Sequence, residues 1–283
     1  MSDIDKLLSL IKGQKTNEGT DFDRYQLKGI GLQKTNFSHT SFQKADLELS
    51  ELISIDFSNA KLNDVTFQKA NLKDINFTGA QLQGANFEDA VLTGCNFKSV
   101  SMENANLNSA SIKNCSFHGS ALDHINLYSA QLSNCDLSFV KMMYGYMRKM
   151  DINSSKMNGA NLRGSDLSFC NITEVDLRGS ILKYADLNST TLKQVNLTNA
   201  ILTGAEMKDT HCLGIILKEA NLEGVDLTYA NLAGANLENA FLLEANLHGA
   251  NLENANLKDA NFVDANTTKV ITKGANLENT LLQ

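Results

Sequence analysis

The stretch from 230 to 266 reads ANLAGANLENAFLLEANLHGANLENANLKDANFVDAN, a five-residue unit of Ala, usually Asn, a large apolar residue and two variable ones. The large residue falls at Leu232, Leu237, Leu242, Leu247, Leu252, Leu257 and Phe262. The same register runs from Phe22 to Leu282 without insertion or deletion, which makes 53 repeats. So short a fixed period points to a stacked, quasi-one-dimensional solenoid rather than to one or two ordinary domains.

Five matches neither regular element. In a helix the large residues would drift by about 140° per repeat and smear around the cylinder. In a flat strand, residues five apart face opposite sides. They share one interior only if the chain turns a corner once per repeat. With the large residue called i, positions i−2 and i then point inward, and i−1, i+1 and i+2 point outward. Composition obeys this assignment. Position i is Leu, Ile, Met or Phe in 50 of 53 repeats, the exceptions being Cys212, Thr267 and Thr272. Position i−2 is small or β-branched except at Tyr25 and Met150. Of the 18 Gly, 15 lie at i+2, the choice expected of a turn that needs positive φ. Position i−1 is Asn or Asp in 28 repeats, where a short polar side chain can bond nearby backbone and stack on its equivalent one coil away.

Phe37, Phe57, Phe77, Phe97 and Phe117 recur every 20 residues, as do Cys95, Cys115 and Cys135. Like residues stand above one another at that spacing if four repeats make one square turn, which predicts about 13 coils. The A(D/N)LXX units closely resemble the pentapeptide-repeat family over residues 18–283. That resemblance implies a right-handed quadrilateral β-helix. The expected fold is therefore an all-β solenoid of about 13 four-sided coils with a short N-terminal α-helical cap. Residues 1–17 read as capping helix and linker, and 18–283 as the β-helix. Within the cap, Asp3 is the expected N-cap, Ile4, Leu7, Leu8 and Ile11 share one face, and Gly13 stops the helix. A helix there would plug the first coil, whose apolar end is otherwise raw.

Net charge is −7, which argues against a general nucleic-acid binder. No stretch approaches the ~20 apolar residues of a membrane span, and the N-terminus carries acid where a signal peptide needs base. A cytoplasmic protein is expected. The five Cys read as inward fillers and free thiols rather than a disulfide framework. The five His make no spacing that suits a metal or a triad, and the His211–Cys212 neighbours point opposite ways. No catalytic, cofactor-binding or metal-binding residue is expected. A filled solenoid offers no cleft, so an enzyme is not expected either.

The charge is unevenly spread: −4 over residues 1–140, +3 over 141–200 and −6 over 201–283. At 20 residues per turn, Lys141, Met143, Tyr144, Arg163, Ile181, Lys183 and Tyr184 fall on one side, with Phe139 at the adjoining corner. Ile201, Phe241, Leu243, Val263 and Leu281 continue that side. An exposed apolar stripe beside a basic waist marks a candidate interaction patch. The expected function is a non-enzymatic rigid scaffold that binds another macromolecule, with a protein as the partner. The alternative comes from a branch of the family that looks like duplex DNA and binds DNA gyrase or topoisomerase IV. The fraying at Thr267 and Thr272, with no second plug helix after Leu282, adds a possible homodimer through the C-terminal coil.

Overall fold

The structure is a computed structural model that describes residues 1–12 and 19–281. Gly13 as the helix stop, the linker with its boundary at 17/18, and Leu282 lie outside the described residues. The chain divides into two compact units, Met1–Lys141 and Met142–Gln283.

The first unit opens with α1 (Asp3–Ile11). Its N-cap is Ser2 rather than Asp3: the Ser2 hydroxyl accepts from the Asp5 amide, and Asp5 answers in a capping box. Asp3 instead joins helix to coil, since one carboxylate oxygen bonds Lys6 Nζ at 3.0 Å and the other accepts from the Gln26 amide at 3.1 Å. Leu7 is fully buried, whereas Leu8 is partly exposed, so the apolar face is narrower than the sequence suggests.

Strands β1 to β6 of this unit span Gly31–Gln33, Glu51–Ile53, Asn71–Lys73, Val91–Thr93, Ser111–Lys113 and Gln131–Ser133. Each pairs in parallel with the next, residue for residue at a step of 20. The other walls carry single parallel bridges at the same step, such as Asp56↔Asn76 and Asn86↔Asn106. Four five-residue repeats therefore make one coil. The backbone closes it through a fixed pair of bonds, as where Phe57 N–H donates to Asn76 O and Asn76 N–H to Ile55 O. Inside, Phe37, Phe57, Phe77, Phe97 and Phe117 form one stack, with successive ring centroids 5.5, 5.6, 4.7 and 4.6 Å apart. Phe67 and Phe87 stack in a neighbouring column at 5.0 Å and meet the first column edge to face. Tyr25, out of pattern at an inward position, packs edge-on against Phe22 beneath the helix.

The second unit repeats the scheme with β7 to β9, at Asp151–Asn153, Asn171–Thr173 and Thr191–Lys193. Nine strands among the described residues mark about eight turns, against the thirteen expected. Beyond Lys193 the 20-residue pairing continues as single bridges as far as Asn261↔Leu281. A wall with two or three extended residues between corners has little room for more. Near 139–157, where the repeat coarsens, Met142, Met147, Met150 and Met157 fill the interior. Gly145 makes way for them: a Cβ there would lie 3.2 Å from Met147 Cε and 3.4 Å from Met142 Cγ.

The inside–outside assignment holds along both units. Positions i−2 and i are buried from Ile30 to Phe262. The i+2 residues take the left-handed conformation whatever their type, as at Asp89 (φ 56°) and Gly94 (φ 67°). All five Cys are buried free thiols, and burial pushes Cys135, Cys170 and Cys212 up to about 12. No described helix is long and apolar enough to cross a membrane.

Candidate interaction face

The eight patch residues fall in both units. Phe139 and Lys141 belong to the first. Phe139 is exposed at a left-handed turn, with its ring edge-on to His118 at 5.6 Å, and Lys141 is exposed beside Ala121. The other six belong to the second unit, where successive coils bring them together. Tyr144 N–H donates to Arg163 O at 2.9 Å, and Gly164 N–H donates to Lys183 O at 3.0 Å. Ile181 bridges Asn161 on one side and Ile201 on the other. Met143 is half-buried next to Tyr144.

Tyr144 and Tyr184 sit at the i+2 turn with φ of 56° and 60°, a conformation that suits Gly or Asn better than a bulky residue. Each ring reaches over the glycine one coil on. A Cβ on Gly164 would lie 2.7 Å from the Tyr144 ring, and one on Gly204 would lie 2.7 Å from that of Tyr184. The glycines are thus the floor on which the rings rest. Both rings stay open to solvent, at 51% and 55% exposure, so the packing fixes their position without hiding them.

Two cations flank Tyr184: Lys183 Nζ is 5.0 Å and Arg163 Cζ 5.9 Å from its ring centroid. Among the described residues, the ion pairs include neither of them. Other cations of this unit stand one coil from a carboxylate, as in Lys218–Glu238 at 3.0 Å and Lys258–Glu278 at 2.9 Å. Arg163 and Lys183 are the only two cations of the second unit that stand 20 residues apart in one column.

A second column carries the opposite sign. Asp166, Asp186, Glu206 and Asp226 bridge in succession. Partial burial, with Asp166 and Glu206 on either side, raises the Asp186 carboxyl above its ordinary value. On another wall, Arg178 holds Asp176 below its ordinary value through a 2.7 Å ion pair.

Sequence reasoning passed over several exposed groups. Arg148 lies 4.3 Å over the Phe169 ring and donates to Ser168 Oγ. Tyr146 is also exposed, and Tyr229 rests over Gly249 as Tyr144 does over Gly164. The legible signal is a Phe or Tyr at a turn position with Gly or Ser 20 residues later. The expectation that no cleft exists is corrected at the last coil. There a cavity of about 220 Å³ is lined by Leu252, Leu257, Phe262, Thr267, Val270, Thr272 and Leu277. Thr267 and Thr272 stand there at positions where the repeat calls for a large apolar residue. Among the described residues no group of three or more His, Cys, Asp or Glu is placed to hold a metal ion.

The family model described as "Pentapeptide repeat region" matches residues 20–97 and 90–167, and "Pentapeptide repeats (8 copies)" matches 180–211, 214–242 and 242–283. This chain is a pentapeptide-repeat protein. No curated protein sequence matches it. Among solved structures it is similar to HetL, a pentapeptide-repeat protein involved in heterocyst differentiation regulation from Nostoc sp. strain PCC 7120. Identity there is 23% over 99% of this chain and 96% of that one, with a TM-score of 0.40. It is also similar to QnrB1, a plasmid-mediated fluoroquinolone resistance protein, at 17% identity over 74% and 87% of the two chains (TM-score 0.40). Rfr23 from the cyanobacterium Cyanothece 51142 shares 28% identity over 54% of this chain and 91% of its own (TM-score 0.27).

Proposed function

We propose that this pentapeptide-repeat protein is a non-catalytic, cytoplasmic scaffold that engages a protein partner through its outer side surface. The observation that carries the reading is the second unit's exposed face, where Tyr144 and Tyr184 are held open over Gly164 and Gly204 beside the unpaired Arg163 and Lys183. Rigid aromatics next to an Arg are what protein–protein contacts use as anchors. Phe139 and Lys141, exposed on the first unit, are proposed as contact residues of that unit in their own right. The free thiols suit a reducing compartment. The test is affinity capture with the native protein and with Tyr144→Ala/Arg163→Glu, each checked for an unchanged melting temperature. Loss of a specific partner supports the reading, and identical recovery removes it.

A second reading rests on the carboxylate column Asp166–Asp186–Glu206–Asp226. A line of negative charge along one wall is what a DNA mimic acting on DNA gyrase or topoisomerase IV presents. Arg163 and Lys183 interrupt that character on the neighbouring wall. A supercoiling assay with purified gyrase decides, since absence of binding, inhibition or protection retires the idea. Self-association is a further part of the proposal: Ile271, Leu277 and Leu281 expose apolar surface on the last coil, which suits a homodimer. A monomeric mass in solution contradicts it.

A further inference from the structure

We propose that the occupant of the Arg163–Lys183 face is an acidic protein segment, two of whose carboxylates bind the two cations while aliphatic neighbours rest on Ile181 and Ile201. This rests on the scaffold reading above and names the chemistry of its partner. Most solenoid surface charge is neutralised locally or spread among polar side chains. Here two cations occupy adjacent rungs of one column, ~4.8 Å apart along the stack, and among the described residues neither forms an ion pair. Like charges that close raise each other's cost, and an anion bridging them relieves it. Both charged groups also rest near the Tyr184 ring, at 5.0 Å (Lys183 Nζ) and 5.9 Å (Arg163 Cζ), so less freedom is lost on binding.

The surroundings decide which anion. Ile181 shares a rung with Lys183 and Ile201 stands one rung beyond it, while the tyrosines occupy the turn on the other side of the cations. In an extended peptide, residues two apart lie ~6.6 Å apart on one face. Two carboxylates so spaced reach both cations, and an apolar neighbour in the same segment covers an isoleucine. A nucleic-acid strand gains little from Ile181 and Ile201. It also meets a repulsive wall in the acidic column and a unit that carries more carboxylates than cations (16 against 12).

The test is fluorescence anisotropy on the full chain with a short labelled peptide containing an Asp-x-Asp core flanked by Leu. Its Asn-x-Asn counterpart and a single-stranded DNA oligonucleotide serve as the other probes. The acidic peptide is expected to bind and the Asn version to bind roughly tenfold or more weakly. Arg163→Glu and Lys183→Glu should each abolish the preference while leaving the melting curve in place. Equal binding of the two peptides overturns the inference, as does tighter binding of the oligonucleotide through the same residues. If partner capture still depends on Tyr144 while the acidic peptide shows no preference, the chemistry of the occupant is wrong and the scaffold reading stands. Capture indifferent to Tyr144 and Arg163 removes both.

Discussion

Tyr144 and Gly164 show how one residue in such a repeat answers to another a full coil away. Alanine at 164 has to adopt φ 65°, and its Cβ meets the Tyr144 ring at 2.7 Å. Gly164→Ala is therefore expected to cost about 1–2 kcal/mol from the backbone alone and to displace the ring, read as a lower urea midpoint. Asp186 makes a prediction with pH. Its folded value lies above the ordinary one because of burial and the carboxylates on either side. The charged form thus costs stability at any pH above that folded value, and the cost vanishes as pH falls through it toward the ordinary carboxylate value. Asp186→Asn keeps the side-chain oxygen that accepts from Asn188 N–H. It should raise the melting temperature at neutral pH and make no difference well below the carboxylate range. A gain that persists at low pH means that charge is not the cause. The periodicity makes the inward and outward sides of these residues legible. It does not reveal that Arg163 and Lys183 both approach the Tyr184 ring, because that depends on rotamers.

Within a wall, stability comes from columns rather than from strands. Asn106 donates through Nδ2 to Asn86 Oδ1 at 3.2 Å, and its own Oδ1 accepts from Asn126 Nδ2 and from Asn108 N–H. Asn106→Ala removes all three bonds and should cost about 1–3 kcal/mol in chemical unfolding. Phe97, stacked at 4.7 and 4.6 Å on Phe77 and Phe117, is expected to cost about 3–5 kcal/mol as Phe97→Ala. Both columns are legible in the sequence because identical residues at a step of 20 have to coincide once four corners close a coil. The strands are less so. Whether a wall forms a three-residue strand or a single bridge depends on small backbone tilts that leave the pattern unchanged, so among the described residues the strands end at Lys193 while the bridges go on. The helix cap shows the same limit. Asp3 and Ser2 are both good N-caps, and the choice falls to Ser2 because Asp3 bonds the Gln26 amide of the first coil.

For the molecule as a whole, the repeat sets the fold and says little about the partner. Each unit spends its inward positions on filling the coil, so whatever distinguishes this protein from another with the same repeat lies at outward positions that the fold barely constrains. A test of that separation is Lys183→Glu, which places a carboxylate one rung from Arg163 as Glu238 stands to Lys218. It should leave stability unchanged or raise it by up to about 1 kcal/mol while removing partner binding. The most direct measurement is site-specific photo-crosslinking, with a photoreactive residue replacing Lys183 or, as control, Lys193 on another wall of the second unit. The account predicts a defined cross-linked partner from position 183 and none from 193. Equal cross-linking from both positions, or from neither in the presence of a captured partner, contradicts it.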